Sequence, residues 1–181
     1  MGFEIWAAII GLGVGAPSVW LYNRMVADRN LVRQGFADID VQLKRRADLV
    51  PQLVEAVRAY AAHEKALLTS VTQLRAAALA APKATERFMH ERQLGEHLER
   101  LVLLQESYPQ LKADANFRDL SAKLVEIEDH LQYARRFYNG AVQQYVTRIE
   151  SFPDIVFAKL LGFRPMPFFE TAERSGVKIS L

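Results

Sequence analysis

The feature of this sequence that most constrains its fold is the recurrence of apolar residues at alternating spacings of three and four. The first such series, which includes one charged member, is Tyr22, Met25, Arg29, Val32, Phe36, Ile39 and Leu43. Further series run over residues 50–78 and 117–145, and apolar residues also recur between Thr85 and Ser107. This spacing places side chains on one face of an α-helix, and that face is buried against neighbouring helices. The sequence therefore predicts an all-α protein with an antiparallel up-and-down four-helix bundle.

The stretch Phe36–Glu55 joins the first two series and admits two interpretations. The cations Lys44–Arg46 suit the end of one helix, Asp48 can cap a second, and Pro51 then falls in a first turn that needs no intrahelical N–H. This interpretation predicts a turn at residues 46–48. The alternative is one long helix kinked at Pro51, because a helix interior tolerates proline at a cost of about 3 kcal/mol.

Two charged residues interrupt these series and favour the turn. The second series consists of Val50, Leu53, Val57, Tyr60, Glu64, Leu67, Val71, Leu74 and Ala78. Arg29 and Glu64 lie at almost equal distances along the chain from residue 47, so a helical hairpin would bring them together as a buried ion pair. On a straight helix they would lie about 50 Å apart. We therefore predict the hairpin and the pair Arg29–Glu64.

The N-terminal stretch Phe3–Tyr22 has one charge, Glu4, and its length as a helix is about 30 Å, enough to cross a bilayer. Trp6 and Trp20 lie near its ends, where interfacial aromatic residues are expected. Arginines follow it from Arg24 onward, which predicts a single span with the following domain in the cytoplasm. A buried helix of a soluble protein and a cleaved signal peptide are the alternatives, although the cationic start of a signal peptide is missing.

Small residues recur at every fourth position of this stretch, at Ala7, Gly11 and Gly15. This pattern allows two membrane helices to approach closely, but glycine is also simply common in membrane helices. Dimerisation of the protein through this face is therefore a hypothesis.

The composition gives little support for catalysis or for nucleic-acid binding. The chain has 23 Lys and Arg against 21 Asp and Glu, a net charge of +2, and it has no cysteine. No Glu-x-x-His or His-Glu-x-x-His motif occurs, and no glycine-rich phosphate loop. We expect no cofactor, no small-molecule substrate, no nucleic acid and no enzymatic activity. The alternative is an enzyme or metal-binding bundle that uses His63, Glu64 and other carboxylates.

The C-terminal tail is apolar and rich in proline. We predict three parts: a transmembrane anchor over residues 1–22, a helical bundle over 23–162, and an extended tail over 163–181. Phe163, Phe168 and Phe169 are expected to pack this tail onto the bundle.

Motifs along nearly the whole chain resemble the LemA family. They include Tyr22-Asn, Arg29-Asn30, Ala37-Asp-Ile-Asp-Val-Gln-Leu-Lys-Arg-Arg-x-Asp-Leu49, Pro51-x-Leu-Val-Glu55, His63-Glu64, Tyr108-Pro-x-Leu-Lys-Ala113, Ala134-Arg-Arg-Phe-Tyr-Asn139, Phe152-Pro153 and Phe168-Phe-Glu170. The sequence departs from the family pattern at Gly35, Gln52 and Val146. The resemblance implies a bacterial membrane protein with one N-terminal span and a helical bundle, for which no enzymatic activity is established.

The polar residues within these motifs are either structural or form a surface for a partner. We assign Arg29 and Glu64 a structural role. The candidate partner surface consists of Asp38, Asp40, Arg45, Arg46, Arg135, Arg136 and Asn139. The sequence thus predicts a membrane-anchored helical scaffold or adaptor, whose partners are the lipid bilayer and either other proteins or further copies of the chain.

Overall fold

The computed structural model describes the backbone of residues 2–169. The solvent exposure of individual residues is described for Gly15 and for residues 17–169. In these residues the secondary structure is helical, without a β-strand, which confirms the all-α prediction. The α-helices are α1 (Gly2–Tyr60), α2 (Lys65–Ala80), α3 (Ala84–Leu103), α4 (Pro109–Ala113), α5 (Ala115–Glu150) and α6 (Asp154–Leu160). A short 3-10 turn, Leu104–Glu106, follows α3.

The predicted hairpin at residues 46–48 is wrong, because α1 continues through these residues and through Pro51 to Tyr60. The turn occurs instead at residues 61–64, where no glycine or proline marks it. Proline lacks an N–H, so the carbonyl four residues earlier, that of Ala47, loses its helical donor. The side chain of Arg75 replaces this donor, with its Nε 2.6 Å from the Ala47 oxygen. A contact from α2 therefore allows α1 to remain helical at Pro51.

The ion pair predicted between Arg29 and Glu64 is not formed, because the helix does not fold back between these residues. The guanidinium carbon of Arg29 instead lies 5.0 Å from the centre of the Phe163 ring. The Glu64 carboxylate, at the start of α2, accepts a hydrogen bond of 3.2 Å from the Tyr108 hydroxyl. Each charge is thus accommodated by an aromatic side chain.

The chain divides into two compact units that cut across α1 and α5. The second unit comprises Asp38–Arg135 and Phe169. Its core is formed by Leu49, Val50, Leu53, Val54, Val57, Ala61, Leu68, Val71, Leu94, Leu98, Leu101, Leu111, Phe117, Leu120 and Leu124. These side chains come from α1 to α5 and from the turn after α1. Apolar burial of this extent is the main stabilising contribution to such a bundle.

The start of α5 in the second unit is fixed by an N-terminal cap. Asp114 accepts a hydrogen bond of 2.7 Å from the backbone N–H of Phe117 and another of 2.9 Å from the Tyr60 hydroxyl. These two hydrogen bonds lower the pKa of Asp114, because both stabilise the carboxylate. The cap therefore also connects α5 to the C-terminal end of α1.

The first unit comprises the residues up to Ala37 and Arg136–Phe168. In this unit α1 and α5 run antiparallel, because Asp28 contacts residues 144 and 148 whereas Gly35, later on α1, contacts residues 137 and 138, earlier on α5. Asp28 on α1 is buried and binds both Arg148 and Gln144 of α5, the latter at 2.9 Å. Further along, a methyl group added to Gly35 would lie 3.0 Å from the Phe137 ring and 3.1 Å from the Tyr138 backbone. The absence of a side chain at Gly35 thus permits the close approach of the two helices.

The predicted N-terminal span lies in α1, but most of its side chains are outside the described part of the structure. Residues 1–14 and 16 have no described side chains, and these include Ala7 and Gly11 of the small-residue series. Among the residues that were described, no helix is both long and apolar enough to traverse a bilayer.

Candidate functional site

A fully buried arginine lies at the centre of the second unit. Arg46, on α1, is 0% exposed, and Glu91 of α3 is 1% exposed. The Nη2 atom of Arg46 donates to the Glu91 carboxylate and, at 2.8 Å, to the Glu91 backbone carbonyl. Its Nη1 atom donates to the carboxylate of Glu128 on α5 at 2.6 Å. One guanidinium therefore links three helices of this unit.

The charges in this cluster keep Arg46 ionised despite its burial. Burial acts to lower the pKa of Arg46, but the charges of Glu128 and Glu91 and their hydrogen bonds outweigh it and raise the pKa above the usual value. A guanidinium can satisfy two carboxylates at once because its donors point in fixed planar directions. Lysine at position 46 would lack this geometry.

A second arginine, Arg135 of α5, lies near the first and has a different environment. Burial, together with the positive charge of Arg46, lowers the pKa of Arg135 to about 10. Its guanidinium carbon lies 4.5 Å from the centre of the Phe169 ring, and that ring also packs against Phe88 at 4.1 Å between centroids. The aromatic face compensates part of the lost hydration of Arg135.

A groove of about 530 Å³ opens over this cluster. Its lining residues are Arg46, Glu91, Arg92, Gly95, Glu96, Leu98, Glu99, Val102, Leu103, Leu124, Val125, Glu128, Asp129, Gln132, Arg135 and Phe169. They come mainly from residues 91–103 of α3 and residues 124–135 of α5. At a rise of 1.5 Å per residue, the α3 side is about 18 Å long.

The groove combines an apolar surface with an acidic edge. Leu103 and Val125 are large apolar residues that line it while remaining 56% and 58% exposed. At the base of the groove the charges balance, because the guanidiniums of Arg46 and Arg135 lie near the carboxylates of Glu91 and Glu128. The exposed charged residues of the lining are the acids Glu96, Glu99 and Asp129 and the cation Arg92. The exposed edge is therefore net negative.

Gly95 brings α3 close to the buried arginine. A methyl group added at this position would lie 3.3 Å from Nη1 of Arg46. This contact is tighter than usual for a methyl group, and Arg46 has little freedom to move because three hydrogen bonds hold it. A glycine in the middle of a helix costs stability, so its presence here is explained by this contact.

The arrangement favours binding by shape and charge. No group of three or more His, Asp or Glu side chains within the described residues is placed to hold a metal ion. His63 is exposed in the turn between α1 and α2, and the neighbouring Glu64 is engaged by Tyr108. The groove instead presents apolar side chains beside carboxylates, a combination that suits an amphipathic ligand.

The residues of the predicted partner surface have different environments. Arg46 and Arg135 belong to the groove, Asp40 forms a 2.6 Å salt bridge with Arg87, and Asp38 and Arg45 are exposed. In the first unit, Arg136 is exposed and Asn139 is half-buried. Arg46 is therefore not a surface residue, as membership of the candidate partner surface required; it is buried, with its carboxylate partners in place of water.

Two members of the cluster, Glu91 and Glu128, were not predicted from the sequence. Glu91 had a detectable signal, because it falls at helical spacing among the buried residues Phe88, Leu94 and Leu98. A charged residue at such a position requires a buried partner. Glu128 lies beside the apolar series of α5 and resembles any solvated residue in the sequence.

The fold and the cluster define a class of all-helical proteins whose helices are linked through a buried arginine with two carboxylates. A model of the LemA family matches residues 35–180, which include the entire groove. The chain belongs to the LemA family.

Curated relatives that match this chain include magnetosome proteins. Magnetosome proteins MamQ 2 and MamQ 1 of Paramagnetospirillum magneticum are each 23% identical to it, over 82% of this chain and 64% of the relative. Magnetosome protein MamQ of Magnetospirillum gryphiswaldense is 22% identical, with the same coverage. The chain thus spans about two thirds, 64%, of the length of these relatives.

Proposed function

We propose that this protein is a membrane-anchored helical scaffold that presents the groove between α3 and α5 to a partner protein. The partner segment that fits the groove is an amphipathic helix with an apolar face and flanking cations. The observation that carries this proposal is the exposure of Leu103 and Val125 beside the carboxylates Glu96, Glu99 and Asp129. A helix of about 12 residues matches the length of the α3 side.

The proposal also includes the location of the protein. The apolar stretch Phe3–Tyr22 supports a single span, with the helical domain in the cytoplasm at the bacterial inner membrane. Relatives named as magnetosome proteins are in keeping with a membrane location. A single cysteine at Val125 tests the orientation, because the chain has none of its own. A membrane-impermeant maleimide should label it only after the cells are permeabilised, and labelling of intact spheroplasts from outside contradicts the orientation.

The groove is tested with two labelled model peptides of equal length, one with leucine and lysine and the other with leucine and glutamate. Fluorescence anisotropy is measured with the full chain in zwitterionic nanodiscs. The lysine peptide should bind more tightly, and added salt should reduce this preference, because the acidic edge is exposed. Equal affinities for the two peptides contradict the proposal.

Variants inside and outside the groove distinguish binding of the peptide to the groove from binding of the peptide to lipid. Leu103→Ser and Val125→Ser should each weaken the binding of the lysine peptide about tenfold, since each removes about 1.5 kcal/mol of apolar burial without changing the charge of the groove. Leu79→Ser is the matched control, because Leu79 on α2 is 54% exposed and outside the groove. If all three variants behave alike, the peptide does not bind in the groove.

Self-association is a further element of the proposal, supported by the small residues Ala7, Gly11 and Gly15. A cysteine at Gly11 should form a disulfide-linked dimer in native membranes under mild oxidation. A cysteine at Leu12 serves as the control, because adjacent positions of a helix lie on different faces. Absence of the dimer at Gly11, or an equal yield of dimer at Gly11 and Leu12, contradicts association through this face.

A further inference from the structure

The segment that follows α5 leaves large apolar side chains exposed. Phe152 is 85% exposed and Leu160 is 80% exposed, and Val156 and Leu161 are also exposed. Val156 and Leu160 are four residues apart on α6, so they share one face, while Ala158 is buried on another. An apolar face of this kind is typical of helices that lie at a membrane surface or bind a partner.

A second set of exposed apolar residues lies in the same unit, near the N-terminal end of α1. Val19, Trp20 and Tyr22 of α1 are all exposed, and the guanidinium carbon of Arg24 lies 5.0 Å from the centre of the Trp20 ring. Tryptophan and tyrosine with a nearby arginine are typical of the boundary between lipid tails and head groups. These residues end the apolar stretch that is predicted to cross the bilayer.

An aromatic contact connects the two sets. The ring of Tyr22 packs edge-on against Phe163, with 6.0 Å between the ring centroids. Phe163 follows α6 after Leu161 and Gly162, and the positive φ of 73° at Gly162 turns the chain back. The end of α6 is therefore held beside the end of the predicted membrane span.

We propose that α6 and its flanking residues lie in the interface of the bilayer that residues 3–22 are predicted to cross. The exposed apolar side chains Phe152, Val156 and Leu160 would insert between lipid head groups, and Lys159 and Arg164, both exposed, would contact phosphates. The ligand is thus a phospholipid surface, and continuity with the span favours it over a protein partner. This inference rests on the membrane anchoring of the proposed function.

The absence of native cysteine allows a direct test with the full chain. Single cysteines replace Val156 and Leu160 and carry an environment-sensitive nitrobenzoxadiazole label. The protein is placed in nanodiscs of phosphatidylcholine and phosphatidylglycerol, with or without phosphatidylcholine that bears a nitroxide quencher near the head group. Cysteines at Leu79 and Val125, which are exposed apolar positions of the second unit, serve as matched controls.

The quencher should reduce the fluorescence of the labels at Val156 and Leu160 several times more than that of the controls. Equal quenching at all four positions overturns the inference. A label at Val14, near the middle of the predicted span, is measured with phosphatidylcholine that bears the nitroxide deep in its acyl chain, and it separates this failure from a failure of anchoring. If only the Val14 label is quenched, the anchor stands and the interfacial position of α6 is wrong. If the Val14 label is not quenched while those on α6 are, α6 binds lipid and the proposed span is wrong.

Discussion

The continuity of α1 at Pro51 depends on a side chain from another helix, and this dependence can be measured. The Ala47 carbonyl has lost its helical donor to the proline, and it lies in a residue that is 2% exposed. Arg75 donates to it from α2 at 2.6 Å. Replacing Arg75 with methionine retains the aliphatic stem and removes the donor. The carbonyl should then be left without a partner, at a cost of about 1–3 kcal/mol.

The same substitution should cost much less when residue 51 is alanine. Pro51→Ala restores the N–H that bonds to the Ala47 carbonyl and removes the clash of the ring, which together account for about 3 kcal/mol. Part of this gain, about 0.4–1 kcal/mol, is offset because the unfolded chain becomes more flexible. Pro51→Ala alone should therefore stabilise the protein by about 2 kcal/mol. In the double variant with Arg75→Met, the Ala47 carbonyl still has a donor, the N–H of residue 51. The two substitutions should show a coupling energy of about 1–2 kcal/mol.

The assay is urea unfolding of the full chain in dodecylmaltoside micelles, followed by circular dichroism for the four proteins of the cycle. Arg58→Met, on the exposed face of α1, is a control that should change the unfolding free energy by less than about 0.5 kcal/mol. If the effects of Pro51→Ala and Arg75→Met add to within about 0.5 kcal/mol, the role assigned to Arg75 is refuted.

Three further predictions concern the two units separately. Arg46→Met should destabilise the protein by about 3–5 kcal/mol in the same unfolding assay, since it leaves Glu91 charged and buried, whereas the double variant with Glu91→Met should recover most of this loss; equal losses would contradict the pairing. Gly35→Ala should destabilise by about 1–2 kcal/mol through steric overlap, while Gly140→Ala, which has no described atom within 4 Å of the added methyl, should stabilise by about 0.5–1 kcal/mol; stabilisation by both would show that the helices are not in close contact. Asp114→Ala should lower the unfolding midpoint and Asp114→Asn should retain most of it, because asparagine also caps helices. The pKa of Asp114 is lower in the folded state, so its stabilising effect is full above the ordinary aspartate pKa and is lost as the pH falls through the lowered value. A pH profile of Asp114→Ala that parallels that of the unsubstituted protein would contradict this.

The helical class of the protein could be predicted from residue spacing alone, because periodic burial depends on local helix geometry. The position of the first turn could not be predicted in this way. Pro51 weakens a helix by itself, but the contact that compensates it comes from Arg75, on the next helix, and no local pattern reveals it. The turn at residues 61–64 likewise lacks glycine and proline, and the Tyr60 and Glu64 side chains next to it are bound by Asp114 and Tyr108.

The apolar series itself contained evidence for the long helix. Arg46 falls three residues after Leu43 and four before Val50, so it continues the same spacing without a break from one series to the next. If Arg46 is assumed to be a surface cation, it suggests the end of a helix. If it is assumed to occupy a core position, α1 must continue past it and an acidic side chain must lie opposite. Glu91 occupies the equivalent interruption in α3 and is that acid. A charged residue at a core spacing thus favours helix continuity and a buried partner when the apolar spacing is the same on both sides of it. Arg29 and Glu64 also interrupt a series, but both remain partly exposed and are satisfied by aromatic side chains, so interruption alone does not identify which charges pair.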